Sequence, residues 1–125
     1  MTTTTSRSQQ PLKMDITRIQ RSVFYRYQHV IGPKCVLVSV RFGKAPLNGP
    51  PVIRLLAMNR TESAVQFDLA NHVSEILAGV ARANSECGTC LEVEAIEVVP
   101  DDYPGKGHAE HVAYKVAMAV GRGDV

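Results

Sequence analysis

Long hydrophobic runs are missing from this chain of 125 residues. The longest uninterrupted apolar stretches span only a few residues, such as Cys35–Val38, whereas a helix that crosses a bilayer needs about 20. Residues Met1–Gln10 contain no continuous apolar segment, which is unlike a secretory signal. We therefore expect neither a membrane-spanning segment nor a leader.

Cysteine is also scarce, with three in the chain, and this small odd number argues against a disulfide scaffold and indicates a reducing, cytoplasmic setting. Signature motifs of catalysis are absent as well. The chain contains no G-x-x-x-x-G-K-[ST] phosphate loop, no G-x-G-x-x-G dinucleotide fingerprint and no G-x-S-x-G nucleophile elbow. We therefore predict a protein that is not an enzyme and that has no nucleotide, no cofactor and no membrane partner.

What the chain has is the composition of one ordinary globular domain. Hydrophobic residues make up 45% and charged residues 21%, which excludes a mainly disordered chain. Four consecutive threonines and further polar residues stand near the start, and this segment buries too little apolar surface to offset the entropy of ordering it. We expect a disordered polar tail over residues 1–15, a single domain over 16–122 and a C-terminal tail over 123–125.

Charge is distributed unevenly along the chain. Residues 1–60 contain ten Lys and Arg but one acid, Asp15, whereas residues 61–125 contain four Lys and Arg and eleven acids. The two halves therefore carry net charges of +9 and −7. Such an asymmetry is a hint of a polyanionic partner. The alternative is that basic strands pair with acidic strands and helices within one fold, which would cancel the field.

Period-2 alternation of apolar and polar residues predicts four strands. The clearest is Cys35–Phe42, in which Val36, Val38 and Val40 point to one face. The turn dipeptide Gly32-Pro33 precedes it. The other three strands are predicted over Ile19–Tyr27, Val52–Met58 and Leu91–Val99.

The period then changes from 2 to 3.6. Apolar residues at helical spacing predict a helix over 64–85, started by a capping box of Ser63 and Gln66 and ended by Gly88. A second apolar stripe predicts a helix over 109–120 that ends at Gly121. The element order is therefore β-β-β-α-β-α. Since two helices can cover only one face of a four-stranded sheet, we predict a two-layer α/β domain of the α+β kind with one open sheet face.

The open sheet face is one candidate interaction surface. Alternation places there Arg26, Leu37, Arg41, Arg54, Leu56, Glu92, Glu94 and Ile96. The leucines and Ile96 would form an apolar patch, Glu97 is expected with the other glutamates on a solvated face, and a bulge is expected near Ile96. Such a face commonly receives a partner or a second copy of the chain, so a protein-interaction module or homodimer is one functional alternative.

Two short motifs are candidate metal or redox sites. Cys87-Gly-Thr-Cys90 follows a helix C-terminus, where the partial negative charge disfavours a thiolate, and zinc would need further ligands such as Cys35 or His72. His108 and His111 stand three residues apart at the start of the last helix, where both imidazoles could share one face and a metal. A turn with incidental thiols and a pair of solvated histidines are the simpler interpretations. We predict no metal at either motif.

The second half of the chain resembles the fourth domain of translation elongation factor G and of its ribosomal-protection relatives. In that family a helix, a strand, a polar loop and an Ala-rich helix follow one another. Here the loop sequence is Asp101-Asp-Tyr-Pro-Gly-Lys-Gly-His-Ala-Glu110, and the helix contains the family-like run Ala113-Tyr-Lys-Val-Ala117. Pro104 stands where the family's loop has a histidine. The element order agrees over residues 16–122, and the motif match lies mainly within residues 91–120.

The resemblance implies a β-β-β-α-β-α fold with a left-handed crossover, shared with a small-subunit ribosomal protein. It implies a non-catalytic arm without GTPase activity, because in the family that activity lies in other domains. Two loops, here residues 26–34 and 101–108, would lie side by side and contact ribosomal or other RNA. Tyr103 would stack on bases and the cations would contact phosphates, while solvated Asp101 and Asp102 would repel them. The residues expected to contact RNA are Arg26, Gln28, His29, Lys34, Tyr103, Lys106 and His108.

Overall fold

Five strands and two helices make up the part of the chain that the computed structural model describes, which is residues 20–21, 24–43, 49–56 and 65–125. The strands are β1 Gln20–Arg21, β2 Tyr25–Ile31, β3 Lys34–Gly43, β4 Val52–Leu55 and β5 Glu92–Val98. The helices are α1 Leu69–Cys87 and α2 His108–Gly121. The tail predicted over 1–15 and the end of the strand predicted over Val52–Met58 lie outside the described residues.

One mixed sheet forms the first layer, with strand order β1-β2-β3-β5-β4. All neighbouring strands are antiparallel except β4 and β5, which are parallel. The two helices form the second layer and pack on the same core as the central strands. The predicted α+β class and the order β-β-β-α-β-α are thereby confirmed, and the two-residue β1 adds a short strand at one edge.

The core lies between the sheet and the helices. Val36, Val38 and Val40 of β3 are fully buried there, on the face that their alternation predicted. Ile76 of α1 and Val116 of α2 pack into the same cluster. Each helix therefore buries the apolar stripe from which it was predicted.

The first predicted strand differs from the structure at both ends. Instead of a strand over Ile19–Tyr27, β1 ends at Arg21 and β2 continues through Ile31. Gly32 adopts a φ of 57° in the two-residue turn that joins β2 to β3, and glycine enters this region at little steric cost. Residues 26–34 therefore form most of β2, the turn and the first residue of β3, and not a long loop.

Helix α1 begins later than predicted. Asp68 is its N-cap and accepts a hydrogen bond from the backbone N–H of Asn71 at 3.0 Å. In the predicted capping box, Ser63 lies outside the described residues and the N–H of Gln66 donates to the carbonyl of Pro100. The predicted end is confirmed, because Gly88 has a φ of 68° and caps the helix in the left-handed conformation.

A bulge between β3 and β5 decides which residues of β5 face the helices. Arg41 pairs with Ala95 and Phe42 pairs with Val93, so Glu94 is the extra residue on β5. Strict alternation from Val93 would put Ile96 on the open face. The bulge shifts the phase by one residue, so Ile96 is fully buried in the core, and its assignment to the open face was wrong.

Neither of the described helices is long and apolar enough to cross a membrane.

At the C-terminal end of the chain, residues 123–125 pack against the domain. The N–H of Asp124 donates to the carbonyl of Ala119, and the side chain of Val125 contacts the core.

Candidate functional site

The β2–β3 hairpin is joined to the loop before α2 by two backbone hydrogen bonds. The N–H of Cys35 donates to the carbonyl of Tyr103, and the N–H of Tyr103 donates to the carbonyl of Cys35, both at 3.0 Å. These bonds make residue 103 a one-residue extension of the sheet. We call the surface formed by residues 29–35 and 101–108 the hairpin–loop end.

An aromatic ring and a cation lie together at the hairpin–loop end. The Nζ atom of Lys34 is 3.7 Å from the centroid of the Tyr103 ring, which is a cation–π contact. Tyr103 remains 56% exposed, and Lys106 on the same loop is exposed. Val30 and Ile31 at the tip of the hairpin are also exposed. The structure thus brings Lys34 and Tyr103 together from two segments of the chain, and Lys106 follows Tyr103 by three residues on the same loop.

Asp102 does not lie in solvent, which corrects the expectation for this loop. Its carboxylate is buried and accepts a hydrogen bond from the N–H of Leu37 at 2.7 Å. Burial raises the pKa of Asp102 above its ordinary value, against the opposing effect of the Leu37 N–H. The neighbouring Asp101 is exposed. Asp102 therefore anchors the loop to β3 and is not available to repel phosphate at the surface.

Two predicted contact residues, His29 and His108, hydrogen-bond to each other instead of extending into solvent. His29 Nδ1 lies 2.8 Å from His108 Nε2, so one ring donates and the other accepts. Burial is the main cause that lowers the pKa of both His108 and His111, and the positive charges of neighbouring imidazoles lower these pKa values further. The interpretation of His108 and His111 as solvated histidines was therefore wrong.

The described residues around His29, His108 and His111 do not form a metal site. Within the described ranges, no group of three or more His, Cys, Asp and Glu side chains has the geometry to hold a metal ion. The two thiols lie elsewhere: the Sγ atom of Cys87 is 3.3 Å from Met118 Sδ, near the C-terminus of α2, and Cys90 is exposed. His108 begins the same helix ten residues before Met118, so Cys87 and His108 are about 15 Å apart along its axis at 1.5 Å per residue.

Arg26 and Gln28 do not belong to the hairpin–loop end. Arg26 lies across from Ser39 on the open sheet face and donates from Nε and Nη2 to the two carboxylate oxygens of Glu97, at 2.7 and 2.9 Å. Gln28 pairs with Leu37 two positions further along the same face and is exposed. Strand alternation separates these two side chains from His29, which points to the helix side.

The open sheet face carries a network of ion pairs built around Glu97. Although Glu97 was expected on a solvated face, only 1% of it is exposed. Ser39 Oγ donates to it at 2.6 Å, and Arg54 lies 3.8 Å away. Burial raises the pKa of Glu97, but the hydrogen bonds from Arg26 and Ser39 and the charges of Arg26 and Arg54 outweigh it, and the pKa lies below its ordinary value.

The apolar patch expected on this face is reduced. Ile96 lies in the core, whereas Leu37 is half-buried and Leu56 is 39% exposed. Phe24, which was not assigned to a site, is buried with the guanidinium carbons of Arg41 and Arg54 5.7 and 5.6 Å from its ring centroid.

Charge on this face is largely compensated within the fold. Arg41 pairs with Glu94 at 3.2 Å, and Arg26 and Arg54 pair with Glu97. These three arginines come from the basic half of the chain and both glutamates from the acidic half. The alternative explanation of the charge asymmetry, pairing within the fold, therefore accounts for these three cations.

Glu75 links the two helices, a role that sequence reasoning missed. Its carboxylate accepts hydrogen bonds from the N–H groups of Gly107 and Glu110, at 3.0 and 3.4 Å, and so caps α2 from α1. Beside it lies a pocket of about 160 Å³ between the start of α1 and the loop before α2. Nothing in the local sequence pattern marks such a cap, because its partners are more than 30 residues away in the chain.

Comparisons of the chain with protein families, curated proteins and solved structures return no match. The class of protein is therefore defined by the structure itself. It is a two-layer α+β domain in which a hairpin and a loop form one end with an exposed tyrosine and two lysines.

Proposed function

We propose that this chain is a non-catalytic, cytoplasmic RNA-binding domain that contacts ribosomal or other single-stranded RNA with the hairpin–loop end. The observation that carries the proposal is the pairing of Lys34 with Tyr103. Exposed aromatic rings stack on unpaired bases, and neighbouring cations bind the phosphates that follow them. Both groups are held in one place by the Cys35–Tyr103 hydrogen bonds.

Two further observations support RNA as the partner. Lys106 adds an exposed ammonium group on the loop that carries Tyr103, and Asp102 is buried and so withdrawn from the surface. The hairpin and loop are also the two segments that the resemblance to the fourth domain of elongation factor G places at an RNA-contacting tip. We therefore extend the proposal to a translation-related role.

The salt dependence of binding tests the proposal. We expect a labelled single-stranded RNA to bind with an affinity that falls steeply as KCl rises, because bound lysines displace condensed counterions. The plot of log K against log salt has a negative slope, and the double variant Lys34→Ala/Lys106→Ala should make it shallower by about 1.4. This figure corresponds to two lost phosphate contacts at about 0.7 each on single strands. Fluorescence anisotropy at several KCl concentrations measures the slope.

The matched control is Lys115→Ala, which removes one lysine from α2 outside the hairpin–loop end and should leave the slope unchanged. Tyr103→Ala should weaken binding about tenfold without altering the slope, since a base stack contributes about 1–3 kcal/mol. The proposal would be contradicted if Lys115→Ala reduced the salt slope as much as the double variant does. It would also be contradicted if the protein bound no RNA at low KCl.

Homodimerisation through the open sheet face is the alternative to RNA binding. Ile96 is not on that face, and the arginines there are paired, so the face has less apolar surface than the sequence predicted. Light scattering separates the two: a salt-insensitive dimer that ignores RNA supports the alternative, and a monomer with a steep salt slope supports RNA binding.

A further inference from the structure

A pocket of about 160 Å³ adjoins the hairpin–loop end, between the first turns of α1 and the loop that leads into α2. It is lined by Phe67, Asp68, Asn71, His72, Glu75 and the loop residues 104–106. Lys106 belongs both to this lining and to the hairpin–loop end. The pocket is therefore continuous with the surface proposed to bind RNA.

Among the polar side chains that line this pocket, His72 is the one with buried atoms that lack a hydrogen-bond partner within the described residues. It is only 3% exposed, and neither of its ring nitrogens has a hydrogen-bond partner in the described part of the chain. Buried polar groups in folded proteins are almost always hydrogen-bonded, so an unpartnered imidazole in a pocket lining points to a ligand. In its own helix, His72 is buried on the same face as Ile76 and Val80, where an apolar residue is the usual choice.

The charge state of His72 indicates what it can bind. Burial lowers its pKa to about 4, although the nearby Glu75 carboxylate acts in the opposite direction. At neutral pH the ring is therefore uncharged, with one nitrogen that donates and one that accepts. Such a group suits a neutral ligand edge that carries both donors and acceptors, and it does not suit an anion.

The remaining lining groups favour a flat ring. The ring of Phe67 meets that of His72 edge to face, with centroids 5.1 Å apart, and Pro104 contributes a second apolar wall. The two carboxylates are already used in capping: Asp68 accepts from Asn71, and Glu75 accepts from Gly107. They therefore do not demand a cationic ligand.

The volume limits the ligand to a single ring. A cavity of about 150 Å³ accommodates a benzene-sized molecule, whereas drug-sized ligands need about 300 Å³ or more. We infer that the pocket accepts one unstacked pyrimidine base of a bound RNA, with His72 hydrogen-bonding to the edge of the base and Lys106 contacting an adjoining phosphate. This inference rests on the proposed RNA-binding function and adds base recognition to it.

Strands of equal length with and without bases test the inference. We expect oligouridine to bind the wild-type protein more tightly than an abasic ribose-phosphate strand. His72→Phe should lower the affinity for oligouridine about tenfold and leave the abasic strand unaffected. Phenylalanine keeps the aromatic contact with Phe67 and removes both ring nitrogens. The control Ser74→Ala changes an exposed residue of α1 outside the pocket lining and should alter neither affinity.

Base size and a direct signal provide two further measurements. Oligoadenosine should gain nothing from His72, because a two-ring base exceeds the pocket. In the wild-type protein, the ring-nitrogen NMR shifts of His72 should move when uridine is added and not when ribose 5-phosphate is added. This second measurement needs no variant and so does not depend on how His72→Phe folds.

The outcomes separate the inference from the function on which it rests. Salt-dependent RNA binding with His72 signals that do not move when uridine is added would overturn the pocket and leave the RNA-binding proposal intact. Uridine-induced shifts of His72 in a protein that binds no RNA would support the pocket and overturn RNA binding. A variant His72→Phe that binds oligouridine like the wild-type protein would also overturn the pocket.

Discussion

Glu97 lies on the open sheet face, yet only 1% of it is exposed. Arg26 binds both of its carboxylate oxygens, and Ser39 donates a third hydrogen bond. A buried carboxylate carries a large desolvation cost, which these partners offset only as a complete set. At the scale of single residues, this cluster therefore joins β2, β3, β4 and β5 more specifically than apolar contacts could.

Replacing Glu97 tests this role. Glu97→Gln removes the charge and leaves Arg26 and Arg54 without it, so we expect a loss of about 1–3 kcal/mol in the free energy of unfolding, the usual contribution of hydrogen bonds to a charged group. Urea unfolding at pH 7 measures it.

The control is Glu94→Gln, whose partner Arg41 forms a pair with both side chains more than a third exposed. Such pairs contribute about 0–1 kcal/mol, so this variant should remain close to the wild-type protein. Equal losses in the two variants would show that burial of Glu97 has no special effect.

At the scale of elements, the two helices lie side by side and run in the same direction. Glu75 meets the start of α2 and Cys87 meets Met118 near its end. They approach most closely at Gly79, where an added Cβ atom would lie 2.4 Å from the carbonyl oxygen of Glu110 and 2.9 Å from the backbone nitrogen of Tyr114. Backbone atoms cannot move aside as a flexible side chain can, so this glycine sets the distance between the helices.

The substitution Gly79→Ala should therefore be destabilising by about 1–3 kcal/mol, the usual cost of overpacking. The sign of this change in the free energy of unfolding is informative, because at an exposed helix position alanine is more stabilising than glycine by up to about 1 kcal/mol. The exposed α1 variant Ser74→Ala is the control and should change the free energy of unfolding by less than about 0.5 kcal/mol. A Gly79→Ala protein that unfolds at higher urea than the wild type would contradict the close approach.

At the scale of the whole molecule, histidines connect the stability of the fold to pH. Burial is the first cause that lowers the pKa values of His72, His108 and His111, the first of them to about 4. Glu75 opposes the shift at His72 and His108, whereas Lys115 and Arg82 add to it at His111. In the unfolded chain these imidazoles take up protons near pH 6.5. The unfolded state thus binds more protons below that pH, and stability is lost as the pH falls from about 6.5 towards the folded pKa values.

The wild-type protein should consequently lose stability between pH 7 and pH 5, with about 2 kcal/mol of the loss due to His72 alone. His72→Phe has no proton to bind at this position, so its free energy of unfolding should fall by correspondingly less over the same interval. Urea unfolding at pH 7, 6 and 5 compares the two proteins. Parallel pH profiles for the wild type and His72→Phe would show that His72 is protonated at an ordinary pH in the folded state.

Local periodicity by itself determined the class of fold and most of its elements. The alternation of Val36, Val38 and Val40 predicted the central strand and its buried face, and the apolar stripe of α2 predicted that helix almost to its ends. Gly88 marked the end of α1 correctly. These features depend on neighbours within one turn or one strand, because the spacing of apolar residues and the left-handed tendency of glycine act over that range.

Tertiary structure alone decided the details of the candidate site. A bulge was expected near Ile96, but only the pairing of β3 with β5 shows that Glu94 is the extra residue and that Ile96 therefore lies in the core. The hydrogen bond from Leu37 likewise holds Asp102 out of solvent. The environment of Glu97 also depends on partners from other elements, and the loop before α2 completes the pocket beside His72. Whether a polar side chain is solvated or buried is set by strand register and by helix packing across many residues of sequence. No local pattern contains that information, so the sheet network and the pocket became visible only in the folded chain.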